Sequence, residues 1–134
     1  MEDQPKTRFS DAIVLQRVEG LVAFAAGLSV YANMDQSWWL FAVLFLVPDL
    51  AMLGYLKSPA LGATTYNLVH TYVAPALLAL IGILAMPSLV GIAVIWFAHI
   101  GFDRMIGAGL KYRSGFNQTH LGTMGRKTVS AGGA

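Results

Sequence analysis

Residues 88–110 read SLVGIAVIWFAHIGFDRMIGAGL, an apolar run that carries His99 and Asp103 in its second half. A membrane-spanning helix needs roughly 20 predominantly apolar residues, and this run is long enough. Ionisable side chains are costly in the hydrocarbon layer, so they mark bundle interiors, wet cavities or functional sites. The stretch therefore predicts a transmembrane helix, with His99 and Asp103 as candidate functional-site residues on it.

Three further apolar windows, residues 12–33, 38–57 and 64–85, have similar lengths. None alternates polar and apolar positions as a barrel strand does, and each is about twice the length of such a strand. Short turns join the first window to the second and the third to the fourth. We predict an all-α integral membrane four-helix bundle of up-down-up-down order. Its segments would be a lead-in at 1–11, a transmembrane domain at 12–112 and a partly flexible cytoplasmic tail at 113–134.

Positive charge predicts how the bundle is oriented. The basic residues flank the start of the first window, the end of the second and the end of the fourth: Lys6, Arg8, Arg17, Lys57, Arg104, Lys111, Arg113, Arg126 and Lys127. The turns at 34–37 and 86–88 have none. Because cytoplasmic loops concentrate Lys and Arg, both termini are expected to be cytoplasmic. Membrane topology accounts for these cations, so membrane lipids and no nucleic acid are the expected partners.

Polar residues of all four windows fall at a similar depth. Counted from the cytoplasmic boundaries at 1.5 Å per residue, Glu19, Asp49, His70, His99 and Asp103 lie roughly 12 to 18 Å into the membrane. Four antiparallel helices would bring such residues into one layer. The sequence thus predicts a buried polar site in the cytoplasmic half of the bundle.

Spacing gives each histidine a partner on its own helix. Residues three and four apart share a helix face. His99 and Asp103 are four apart, while His70 follows Tyr66 by four residues and Asn67 by three. Tyr66 and Asn67 are therefore candidate additional members of the site.

Imidazole and carboxylate ligands on facing helices suit zinc, iron or manganese. We predict that His70, His99 and Asp103 bind a divalent metal, and that Glu19 or Asp49 acts as base or further ligand. The function predicted from this set is a metal-dependent, hydrolase-like membrane enzyme with a lipid-like substrate that enters laterally. The motif is less specific than a His-Glu-x-x-His run, which the sequence does not contain.

Two other functions fit the same residues. A proton- or ion-coupled carrier would use Asp49 and Glu19 for proton exchange, and would be a homo-oligomer because four helices enclose little volume. In a structural or accessory subunit, the acidic residues would pair with Arg17 and Arg104 and only fix helix packing.

Arg104 and His120 are peripheral candidates. Arg104 is next to Asp103 but projects elsewhere, so it is expected to snorkel to headgroups, pair with another helix or bind an anionic substrate. His120 follows the bundle and is expected to be exposed unless the tail returns, in which case it could be a ligand or general base.

Proline predicts irregular backbone in two windows. Pro48 precedes Asp49 in the second window, and Pro75 lies within the third. Each removes a helix hydrogen bond and can kink the chain, freeing carbonyls that need another partner. A locally opened helix and a simple packing bend are both compatible with these positions.

Several polar motifs are shared with a known family. The Asp49 region, YNLVHTY at 66–72, AHIGFDR at 98–104 and THLG at 119–122 resemble a bacterial family of small four-pass membrane proteins catalogued as a domain of unknown function. The resemblance covers residues 12–123. It implies four spans in the bacterial inner (cytoplasmic) membrane and supplies no activity.

Overall fold

The computed structural model describes residues 11–112 and 115–124 of the chain. Along them run the helices α1 (Asp11–Ala32), α2 (Trp38–Leu46), a 3₁₀ helix (Val47–Leu56), α3 (Pro59–Val69), α4 (Val73–Leu84) and α5 (Ser88–Ile106). The strands β1 (Lys111–Tyr112), β2 (Gly115–Thr119) and β3 (Gly122–Thr123) follow. The first ten residues of the predicted lead-in at 1–11 and the predicted flexible end of the tail at 125–134 lie outside the described residues.

The helices form four segments that are long and apolar enough to cross a membrane. They are α1, Trp38–Leu56 (the second span), Pro59–Leu84 (the third span) and α5. Their outer faces carry large apolar side chains; Trp39, for example, is 81% exposed and Leu84 is 76% exposed. An apolar surface of this extent would cause aggregation in water but is suited to contact with lipid chains. The predicted all-α membrane class is therefore confirmed, and the protein is a multi-pass membrane protein.

Helix α5 is the centre of the bundle, because it packs against α1, α2 and α4. Ile95, Ala98, His99 and Ile100 are buried on it. The residues that the sequence singled out in the fourth window therefore lie in the interior.

The contact between α1 and α5 depends on glycine. A Cβ atom added at Gly20 would lie 2.6 Å from the Cβ of Arg104, and one at Gly27 would lie 2.8 Å from the Cβ of Ala98. Sequence numbers rise along α1 as they fall along α5, so the two helices run antiparallel. The small-residue face of α1 is thus a close-packing surface of the kind common between membrane helices.

The ends of two helices have local causes. Ser58 caps α3 by accepting a hydrogen bond from the amide of Leu61 at 3.1 Å, and Pro59 occupies the first helical position. Gly107 ends α5 in the left-handed region with φ of 88°, and the amide of Ala108 donates to the Asp103 carbonyl at 2.7 Å. The chain then turns back toward the bundle.

A small antiparallel sheet of order β1-β2-β3 follows α5. No pattern in the sequence predicted this sheet. Strands β1 and β2 contact α3, so the first part of the predicted tail returns to the transmembrane domain.

Replacing Gly20 with alanine should destabilise the bundle, because the new methyl group would meet the Arg104 side chain and the α5 backbone. Overpacking of this kind costs about 1–3 kcal/mol. Thermal unfolding in detergent should show a lower melting temperature, whereas Val22→Ile, which adds a carbon on the exposed face of α1, should leave it unchanged. Equal melting temperatures for Gly20→Ala and the natural protein would contradict the close contact.

Candidate metal centre

The third span is broken beside Pro75, between α3 and α4. His70 ends α3 with φ of −105° and ψ of 18°, a sparsely populated backbone conformation that is frequent at functional sites. The Val69 carbonyl accepts a hydrogen bond from Trp96 Nε1 at 2.7 Å, and the His70 carbonyl accepts one from Arg104 Nη2 at 3.2 Å. The break thus frees the Val69 and His70 carbonyls, and α5 supplies their donors.

The second span changes from α-helix to 3₁₀ helix at Val47, next to Pro48. Pro48 cannot donate a backbone hydrogen bond, and 3₁₀ segments of this length are uncommon, often marking functional hinges. The Thr65 hydroxyl supports the segment by donating to the Ala51 carbonyl at 2.7 Å. Asp49 lies in the first turn of this 3₁₀ helix. From Pro48 onward the second span is therefore a continuous 3₁₀ helix, which carries Asp49.

Four side chains from three spans converge at one point. The Nε2 atoms of His70 and His99 lie 3.1 Å apart. Asp49 Oδ1 is 3.5 Å from the first nitrogen and 3.4 Å from the second, and Asp103 Oδ2 is 3.4 Å from each. All four atoms lie within 4.8 Å of one another, so the group could hold a metal ion.

The four members differ in burial. Both histidines are only 2% exposed, and Asp103 is also buried. The Asp49 side chain is 37% exposed. The group is therefore closed on the sides formed by α3 and α5 and open beside the 3₁₀ helix.

The hydrogen bonds of the rings determine which nitrogens are free. Nδ1 of His70 lies 2.8 Å from the Tyr66 carbonyl, which can only accept, so Nδ1 carries the proton and Nε2 keeps its lone pair. Nδ1 of His99 is buried near the Phe45 backbone and makes no hydrogen bond within the described residues. His70 is thus in the tautomer that a metal ligand bound through Nε2 requires.

Tyr66 holds two members of the group at once. Its ring stacks on that of His70 with centroids 3.7 Å apart and planes at 7°. Its hydroxyl donates to Asp103 Oδ2 at 3.1 Å. Tyr66 therefore positions an imidazole and a carboxylate through its carbonyl, ring and hydroxyl.

Asn67 contacts the returning tail and lies outside the group of four. Its Nδ2 donates to the Lys111 carbonyl at 2.7 Å, and its Oδ1 accepts from the Lys111 amide at 2.6 Å. Lys111, which was not among the residues predicted for the site, is buried with Nζ over the rings of Tyr66 and Phe116. Burial lowers the pKa of Lys111, while the negative charge of Asp103 raises it. No spacing rule in the sequence signals this contact, because it joins two distant segments.

Arg104 contacts the third span, as one of the three roles expected for it requires. Its Nη2 donates to the His70 carbonyl at 3.2 Å, its Nη1 lies 3.0 Å from His120 Nε2, and its guanidinium lies 5.5 Å from the Tyr72 ring centroid. The His70 carbonyl and His120 of the tail thus keep the guanidinium within the protein. Arg104 is thus a link between the third span and the tail.

His120 is half-buried, so the expectation of an exposed tail histidine was wrong. The amide of Leu110 donates to its Nδ1 at 2.8 Å. Burial and the positive charge of Arg104 lower the pKa of His120. His120 is not a member of the group of four.

Glu19 is exposed on α1 and does not belong to the group. Its neighbour Gly20 faces α5, and successive helical residues point about 100° apart. Of the five residues in the predicted layer, the structure thus brings together Asp49, His70, His99 and Asp103.

A family model described as "Domain of unknown function (DUF4260)" matches residues 13–124. No curated protein and no solved structure matches the chain.

Tyr66→Phe should weaken metal binding about 10- to 100-fold, the usual effect of removing a residue that orients a ligand. The substitution keeps the stacked ring and removes only the hydrogen bond to Asp103. Titration of the metal-stripped protein with zinc provides the measurement. Tyr55→Phe is the matched control, because the Tyr55 hydroxyl has no hydrogen-bond partner among the described residues. Equal affinities for the two variants would exclude the positioning role of Tyr66.

Proposed function

The chain belongs to the DUF4260 family, a domain of unknown function, and we propose that it is a metal-dependent, hydrolase-like membrane enzyme with a lipid-like substrate. In this proposal His70, His99 and Asp103 bind the metal. Asp49 is a further ligand or the general base. The observation that supports it most directly is the convergence of four ligand atoms within 4.8 Å.

The distances within the group match a tetrahedral site. Zinc bonds to imidazole nitrogen and carboxylate oxygen of about 2.0–2.1 Å place neighbouring ligand atoms about 3.3–3.4 Å apart. The three pairs formed by the ligand atoms of His70, His99 and Asp103 lie between 3.1 and 3.4 Å. Asp49 Oδ1 lies 3.4–3.5 Å from both imidazole nitrogens and within 4.8 Å of the Asp103 oxygen. Of zinc, iron and manganese, zinc therefore fits best, since it most strongly prefers four ligands in this geometry.

Charge also favours a cation at this point. Two carboxylates meet in the group, yet among the described residues neither Asp49 nor Asp103 forms an ion pair with a lysine or arginine. Arg104 is engaged with the His70 carbonyl and His120. Carboxylates inside a membrane domain need a compensating charge, and a divalent metal would provide it.

The unequal burial of the ligands suggests their roles. A catalytic zinc site has three protein ligands and an open position, whereas four protein ligands close a structural site. His70, His99 and Asp103 are buried, and Asp49 is the exposed member on the 3₁₀ helix. The bound metal would activate water. Asp49 would accept the proton from that water and return it to the leaving group. Asp49 suits this role better than Glu19, which lies outside the group.

Metal analysis of the purified protein tests the proposal. We expect about one zinc per chain, with a melting temperature that rises when metal is added, because binding stabilises the folded state. His99→Ala should lose the metal. His120→Ala is the matched histidine control and should retain it, since His120 is outside the group.

Asp49→Asn separates an enzyme from a purely structural metal site. It should keep its metal and lose at least about 10²-fold of the hydrolysis rate on a fluorogenic acyl ester in mixed micelles. Natural protein that contains no metal, and whose melting temperature does not respond to zinc, iron or manganese, would overturn the proposal in favour of the carrier or structural alternatives.

We place the protein in the bacterial cytoplasmic membrane with both termini inside, on the distribution of Lys and Arg. The chain has no cysteine, so a single introduced cysteine is its sole thiol. Labelling of that thiol shows on which side of the membrane the residue lies. In intact cells, a membrane-impermeant maleimide should label Asp35→Cys in the first turn and should reach Lys57→Cys only after permeabilisation. The reverse pattern would invert the orientation.

A further inference from the structure

A cavity of about 570 Å³ lies between the second span, α3 and α5. Leu44, Val47, Leu68, Ile92 and Trp96 are among the side chains that line it. Its volume is within the range of about 300–1,000 Å³ that is typical of small-molecule sites. It is larger than the second apolar cavity, of about 260 Å³, between α1, α4 and α5.

The walls of the larger cavity offer almost nothing to a polar occupant. Its one polar aliphatic side chain, Thr65, donates its hydroxyl to the Ala51 carbonyl. The indole nitrogen of Trp96 donates to the Val69 carbonyl. A polar molecule would lose its hydrogen bonds to water without replacement, so the cavity is suited to hydrocarbon.

Its dimensions favour one alkyl chain over a protein segment. A helix with its side chains is about 10–12 Å across, too wide for a space of this volume. Leu50 and Leu68, both strongly exposed, flank the cavity on the membrane-facing surface. A lipid chain could enter between them from the surrounding bilayer.

Residues that line the cavity are next to members of the candidate metal centre in the chain. Pro48 and Val69 line it, and the next residues along the chain are Asp49 and His70. Trp96 lies three residues before His99 and therefore on a shared face of α5. A chain in the cavity would have one end next to the exposed carboxylate of Asp49.

We propose that this cavity binds one acyl chain of a lipid and places the polar linkage of that lipid beside Asp49. That the lipid is the substrate rests on the proposed function, whereas binding of the acyl chain requires no metal. The substrate class is then a lipid with an acyl chain attached directly to the group that reacts.

Quenching of Trp96 fluorescence tests the proposal. The double substitution Trp38→Phe and Trp39→Phe leaves Trp96 as the sole tryptophan of the three in the chain. The full-length protein in a steroid-based detergent, which has no alkyl chain to compete, is titrated with a brominated stearoyl ester. We expect saturable quenching.

Filling the cavity should weaken binding of the stearoyl chain. Ala51→Phe and, from the opposite wall, Ile92→Phe should each raise the half-quenching concentration at least about tenfold, because the added ring occupies the place of the chain. Ala79→Phe in the smaller cavity is the matched control and should leave the curve unchanged. Two variants on different elements protect the test against misfolding of one of them.

The outcomes decide between occupants. Quenching that rises without saturation, or that persists unchanged in Ala51→Phe and Ile92→Phe, would overturn the proposal. A change of oligomeric mass in these variants without a change of quenching would assign the cavity to a second copy and also overturn it. Metal content is measured on the same samples: metal-free protein that binds the chain contradicts only the enzyme, and metal-loaded protein that does not bind it contradicts only this inference.

Discussion

Polar groups within a bilayer must find partners inside the protein, because hydrocarbon offers none. The break at residues 70–72, between α3 and α4, makes this constraint acute, since it leaves the Val69 and His70 carbonyls without regular helical partners. Trp96 and Arg104, both on α5, donate to these carbonyls. The break is therefore tied to α5, and this tie holds His70 against His99. The candidate metal centre depends on it.

Helix α5 has its central place for a steric reason. Glycines on α1 allow the two backbones to approach so closely that an added methyl group would collide. With α1 on one side and α4 on another, His99 and Asp103 are shielded from lipid. From α3, the Tyr66 hydroxyl donates a hydrogen bond to Asp103, and Lys111 Nζ lies over the Tyr66 ring. Three sides of the site are thus built from rigid, buried contacts, the arrangement that preorganised sites require.

The side of the site formed by the 3₁₀ helix is less buried and has less regular backbone than the other three. Asp49 belongs to a 3₁₀ helix and is partly exposed, while an apolar cavity begins beside it. Buried ligands on regular helices and one accessible carboxylate on irregular backbone suit a site that holds an ion and admits a substrate. Family membership carries no activity in this case, so function has to be argued from this geometry.

Local patterns in the sequence were enough to predict the four spans, the proximity of His99 to Asp103 and the contact between Tyr66 and His70. Hydropathy and i, i+4 spacing are properties of single helices, so they need no knowledge of the neighbours. The same patterns could not tell that Glu19 is exposed or that Arg104 turns inward. These depend on the rotation of each helix about its own axis, which the Gly20 contact and the freed His70 carbonyl decide. The sheet and the Lys111 contact likewise join segments distant in sequence, so only packing in three dimensions could decide them.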